Sequence, residues 1–275
     1  MSNGPTIVEA VLVGMFALIV GTVPRNVVFA ANLRYFPHVP WSVLPLAVYL
    51  WLFWRYLGGW GPPSETSDKR RASLRATSLT LRVWIWALLA GAMGLVTLVL
   101  ALRLANRMIA LPDQASLDLS GVPVVTVLLL LLMSSVFAGV VEEASFRGYM
   151  QRPIERRHGP GLAILVTGVM FAVAHLDFAP TLLPYYVAVA AIYGMVTYLT
   201  DSILPAVVLH AGGNFFSNID LWRRGRAEWQ SLGGETLIWS AGTDASFWTT
   251  VLTVVVSAAA MVWAYSRLAG AAKTT

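Results

Sequence analysis

The stretch GVPVVTVLLLLLMSSVFAGVVEEASFRG, residues 121–148, decides how this chain is read. It carries no charge until Glu142, and then places Glu142, Glu143 and Arg147 within six positions. A helix needs about 20 apolar residues to cross the hydrocarbon core of a bilayer, and this run supplies them. The runs 83–102, 178–200 and 245–266 are also free of charge. Over the 275 residues 57% are hydrophobic and 12% charged, against roughly 25% charged in an average soluble domain. A water-soluble globule is excluded. The expected fold is all-α, a polytopic transmembrane bundle of about eight helices, with 1–275 as one integral-membrane domain. Its spans are expected near 5–24, 37–56, 83–102, 120–141 with a continuation, 160–177, 182–200, 203–219 and 247–267.

The net charge of +5 and pI near 9.7 read as loop charge that orients the helices. The expected partner is the lipid bilayer, and no nucleic acid is expected. The chain has no cysteine, which removes disulfides, Cys-ligated metal sites and a thiol nucleophile together. Lysine occurs only at Lys69 and Lys273, beside seventeen arginines. With abundant Ala, Val, Leu and Gly, that usage resembles translation from a GC-rich genome, so a prokaryotic plasma membrane is expected. The first span holds Glu9 and no Lys or Arg before Arg25, unlike a secretory signal, and reads as a retained helix. If the N-terminus is inside, Arg55, Lys69, Arg70, Arg71, Arg75, Arg82, Arg152, Arg156, Arg157, Arg267 and Lys273 fall in cytoplasmic segments. Seven fall opposite, among them Arg25 in the loop after the first span, so both termini are expected to be cytoplasmic. Gly58 to Ser78, with Gly-Gly, Pro-Pro and a basic cluster, reads as a flexible loop between a two-helix leader and a six-helix remainder.

Inside the apolar second half, Glu142, Glu143, Arg147, His175, His210 and Asn214 stand out. Ionisable groups at membrane depth are costly and mark a cavity, a partner or a pathway. Glu143 and Arg147 are four apart, stacked on one helical face and able to pair, while Glu142 points roughly 100° away. One carboxylate is then neutralised and the other left available. Phe171 and His175, and His210 and Asn214, repeat the spacing of four. If Arg156 to Pro160 is the turn of a helical hairpin, Glu142 and His175 both lie about 22 Å from it and share a depth. His210 joins them only if the 182–200 helix is short or tilted. His38 and His158 read as solvated.

Glu142-Glu143-x-x-x-Arg147, Phe171-x-x-x-His175 and His210-x-x-x-Asn214 resemble the three signature motifs of the CAAX prenyl protease and bacteriocin-processing family of intramembrane proteases, also called the abortive-infection family. The resemblance covers residues 120–220, the expected catalytic core. It implies that Glu142 activates water with Glu143 and Arg147 in support. It further implies that His175 helps to hold the water and that His210 with Asn214 stabilises the oxyanion.

Peptide hydrolysis needs a general base beside the attacking water and donors aimed at the developing oxyanion. Glu142 and the histidines can meet both needs without a covalent intermediate. Ser145 faces away from both glutamates and is a poor nucleophile. Glu142, His175 and His210 also offer three nitrogen or oxygen ligands for zinc, although no His-Glu-x-x-His pair is present. Metal-dependent and metal-free mechanisms are both compatible with the resemblance. The expected function is an intramembrane endopeptidase, a hydrolase cutting a membrane-anchored or amphipathic peptide or protein. The alternative is a non-catalytic immunity protein, scaffold or transporter that uses the polar cavity for ligand or proton binding; no duplication into two halves supports the transporter version.

Overall fold

The computed structural model describes residues 5–112, 119–175, 180–225 and 237–273. Among them there is helix and no strand. The helices are α1 (Ile7–Tyr35), α2 (Val43–Leu57), α3 (Ser67–Leu74), α4 (Leu81–Met108), α5 (Val124–Glu142), α6 (Arg152–His158), α7 (Pro160–Ala174), α8 (Leu183–Thr200), α9 (Leu204–Arg224), α10 (Ile238–Ala241) and α11 (Ala245–Ala272). A π-helical stretch, Glu143–Gln151, joins α5 to α6 without a break. Five helices are long and apolar enough to cross a membrane: α1, α4, the continuous Val124–His158, α8 with the turn before it, and α11. The apolar helices α2 and α7 are shorter, at 15 residues each.

Local chemistry sets the ends. Thr6 and Glu9 cap α1 reciprocally, each side chain accepting from the other's backbone N–H, so the one acidic residue of the first span belongs to a capping box. Gly159, at φ 85°, makes the hairpin turn between α6 and α7. Asp201, at φ 49°, ends α8 and lets α9 begin three residues later.

Two ends of the bundle are pinned by different contacts. At the first, Tyr149 donates its hydroxyl to the carbonyls of Leu57 and Arg70, and Arg75 pairs with Glu155 at 2.8 Å and Asp201 at 2.7 Å. Arg152 also holds Asp201, and Ser202 donates to the carbonyl of Thr77. At the second end Thr126 donates to the carbonyl of His38, Trp239 to that of Met108, and Arg107 pairs with Asp244.

Two expectations need correction. The 58–78 segment is folded: Arg70 is buried and donates to the carbonyls of Tyr56, Trp60, Gly61 and Pro63 and to the Thr66 hydroxyl. One guanidinium gathers the turn's carbonyls, which a Gly- and Pro-rich composition does not reveal. Arg25 is not in a loop, because α1 runs on through Pro24 to Tyr35. Its guanidinium donates to Ser134 Oγ at 3.1 Å and Asn26 Oδ1 at 2.7 Å.

Candidate active site

The site is built where α5 gives way to the π-helical stretch. Gly139 lets α9 approach closely: a Cβ there would stand 2.9 Å from the Ala211 nitrogen and the Val207 oxygen. That contact brings His210, one residue before Ala211, against the end of α5. Its Nδ1 lies 2.7 Å from Glu143 Oε1, and its Nε2 lies 3.7 Å from Glu142 Oε2. The two adjacent glutamates thus flank one imidazole, each from a different nitrogen edge. Glu143 is fully buried and also pairs with Arg147 at 3.1 Å, whereas 20% of the Glu142 side chain is exposed. Glu142 Oε2 is itself buried and has no hydrogen-bond partner among the described residues.

The turn after α8 explains how His210 reaches this depth. Asp201 is held at the level of Arg152, not at the Gly159 turn. Glu143 stands nine residues before Arg152, and His210 nine residues after Asp201. The return from α8 into α9 is therefore set at the level of Arg152, inward of the Gly159 turn, by an ion-pair cluster.

Arg147 has no exposed surface. Its guanidinium lies 5.0 Å from the centroid of Phe171 and 5.4 Å from that of Tyr193, and it donates to the carbonyl of Ala190 at 3.1 Å. Aromatic faces and a carbonyl replace the water this cation lacks. Ser145 is buried, and its hydroxyl has no partner among the described residues.

His175 lies just past the end of α7, with Nδ1 2.8 Å from the Phe171 carbonyl. That carbonyl can only accept, so Nδ1 carries the hydrogen and Nε2 of the neutral ring is left as an acceptor. A cavity of about 660 Å³ brings His175, His210 and Asn214 onto one lining. Leu95, Leu98 and Tyr186 form part of its apolar wall. His38 and His158 are exposed, away from this cluster.

Two residues went unmarked in the sequence. Tyr193 stacks on His210 with centroids 5.0 Å apart and planes at 15°, and Tyr186 stacks on His175 at 4.4 Å and 28°. Both come from α8, seven residues apart and hence on one face. That spacing, in a span between two histidine-bearing spans, was the available signal.

Catalytic zinc requires about three protein donors converging on one point. Among the described residues no group of three His, Asp or Glu does so. Glu142 and His210 adjoin, and the Nδ1 atoms of His210 and His175 are engaged with Glu143 and the Phe171 carbonyl, which leaves each Nε2 free. Glu142, His175 and His210 are not assembled as the ligand set that their residue types suggested.

The conjunction of a paired and a less enclosed glutamate with two histidines and an asparagine is what the family comparison addresses. Residues 124–216 match the model of the type II CAAX prenyl endopeptidases, Rce1-like. The match agrees with the resemblance read from the three motifs, and it takes in Glu142, Glu143, Arg147, His175, His210 and Asn214. The matched segment covers about a third of the chain, from the start of α5 into α9. No curated protein and no solved structure matched the chain.

Proposed function

We propose that this protein is an intramembrane endopeptidase that hydrolyses a peptide bond in a membrane-anchored or amphipathic substrate through a glutamate-activated water. The observation that carries the reading is the pair of glutamates flanking His210, one enclosed with Arg147 and the other partly open. Glu143, neutralised by Arg147, fixes the His210 ring. Glu142 takes a proton from water as the water oxygen attacks the scissile carbonyl carbon. The His175 Nε2 lone pair accepts from the same water. The Asn214 amide donates to the oxyanion, and so does His210 Nε2 when it is protonated. The tetrahedral intermediate then collapses, the C–N bond breaks, and Glu142 returns its proton to the departing amine. Residues 120–220 form the catalytic core in this reading. The helices α2, α7 and α9 complete a bundle of about eight membrane-embedded helices, with both termini on the cytoplasmic side of a prokaryotic plasma membrane.

The test is cleavage of a fluorogenic membrane-anchored peptide library by detergent-purified protein. Glu142→Gln and His210→Ala should each lower turnover by at least about 100-fold, the range for loss of a general base or an oxyanion donor, while eluting like the wild type on gel filtration. Chelator should leave the wild type active. Variants that cleave as well as the wild type would defeat the proposal, and so would a wild type that cleaves nothing in the library.

A further inference from the structure

We propose that a groove at the C-terminal end of α2 binds the phosphate headgroup of an anionic phospholipid. Trp54, Arg55, Gly58, Gly59, Trp60 and Arg71 line it, enclosing about 400 Å³. It lies outside the Rce1-like segment and stands independently of the proteolytic reading.

Three observations carry the assignment. The first is charge: the lining supplies two guanidinium groups and no carboxylate. Among the described residues neither Arg55 nor Arg71 has a carboxylate within ion-pair distance. Guanidinium groups match phosphate oxygens in a planar, two-pronged geometry, and phosphate is the charged group a bilayer offers at its edge. The second is pre-organisation. Arg55 lies 5.7 Å from the Trp51 ring and 5.9 Å from that of Trp60, and Arg71 Nε donates to the Gly58 carbonyl. The floor is fixed as well: Gly59 sits at φ 98°, its carbonyl accepts from the Ser67 hydroxyl at 2.6 Å, and a Cβ there would stand 2.7 Å from the Ser67 oxygen. Behind it, Arg70 ties the 56–66 backbone together.

The third is position. Leu44, Val48, Trp51 and Leu52 are exposed along α2 and face lipid in a membrane, so the helix delivers the groove to the level where its apolar surface stops. Indoles and arginines at that level meet headgroups. A headgroup held there would keep its acyl chains along the exposed side of α2.

The test uses the full chain in detergent micelles, with bound lipid counted by native mass spectrometry during titration with phosphatidylglycerol or phosphatidylcholine. The wild type should prefer phosphatidylglycerol by at least about tenfold, as expected for two basic groups on one headgroup. R55Q/R71Q should bring the two lipids near parity. R82Q/R156Q, which removes the same charge from exposed sites at the same end, should keep the preference. Since Arg55 and Arg71 are both exposed, R55Q/R71Q should match the wild type in helical circular dichroism and gel filtration. The assignment is overturned if R55Q/R71Q retains the preference or if R82Q/R156Q loses it equally. Displacement of the lipid by millimolar inorganic phosphate would also overturn it, because the groove would then be reading a free anion.

Discussion

Arg147 is surrounded by the rings of Phe146, Phe171 and Tyr193, the Ala190 carbonyl and Glu143, with no water-facing surface, and among the described residues Glu143 is the carboxylate that pairs with it. Removing one partner of a buried pair leaves the other charge stranded, at a cost of about 3–5 kcal/mol. Arg147→Ala should therefore unfold at a clearly lower temperature in detergent, and its loss of activity should follow loss of folded protein. A folded but inactive Arg147→Ala would instead give the guanidinium a direct part in the chemistry. The sequence already exposed this pair, and the Phe171–His175 and His210–Asn214 relations, because each is a spacing of four on one helix. The placement of both glutamates around one ring was not legible. It depends on the distance between α5 and α9, which no single segment encodes. Tyr186 and Tyr193 escaped for the same reason, since their worth lies in rings supplied by other helices.

The same dependence operates between elements. The α5–α9 approach rests on Gly139, where any side chain would meet the backbone of α9. Small residues at helix crossings let backbones close in, and the crossing sets what the neighbouring residues can touch. Gly139→Leu should push α9 away from α5 and carry His210 off both glutamates. A displacement of about 1 Å in a catalytic group costs about 100-fold, so cleavage should fall by that order while the helical content is unchanged. Wild-type turnover in Gly139→Leu would mean that the crossing is not what positions His210. The boundary of α1 misled the sequence reading at this scale. A first basic residue at Arg25 looked like the end of a span, yet Ser134 and Asn26 supply oxygen acceptors that let the helix continue. Nor did the sequence announce the π-helical stretch, nine consecutive buried residues beginning directly after Glu142. Such widenings recur at functional sites.

At the scale of the whole molecule, five helices among the described residues have the length and composition to cross a membrane, and each overlaps an expected span. Composition and apolar run length made that much legible, because the bilayer imposes both. The bracing of the basic end was not legible, since Arg75, Arg152, Glu155 and Asp201 come from three separated segments. Burial raises the Asp201 pKa, but hydrogen bonds and charge from Arg152 and Arg75 outweigh it and hold the group below its ordinary value of 3.8. A lowered folded pKa means that the stabilisation is fully present above the unfolded value and is lost as pH falls through the folded one. Acid below about pH 3.8 should thus weaken the wild type at this turn, while Asp201→Asn should lack that acid-sensitive component. Because 59% of the Asp201 side chain is exposed, screening should hold the neutral-pH cost of Asp201→Asn to about 1 kcal/mol or less. Thermal unfolding of the two proteins at pH 3 and pH 7 checks this. An equal pH response would remove Asp201 from the account.

The cavity beside His210 has a direction. Its lining climbs α9 from His210 through Asn214 to Asp220 and Arg223, and follows α4 to Leu102, so it extends away from the end where Arg75, Arg152 and Asp201 interlock. The bundle is consequently one-sided: a braced floor lies at one end and a chamber reaches toward the other. In the proposed function, a polypeptide that used this chamber would approach from the end opposite the start of α1 and the end of α11.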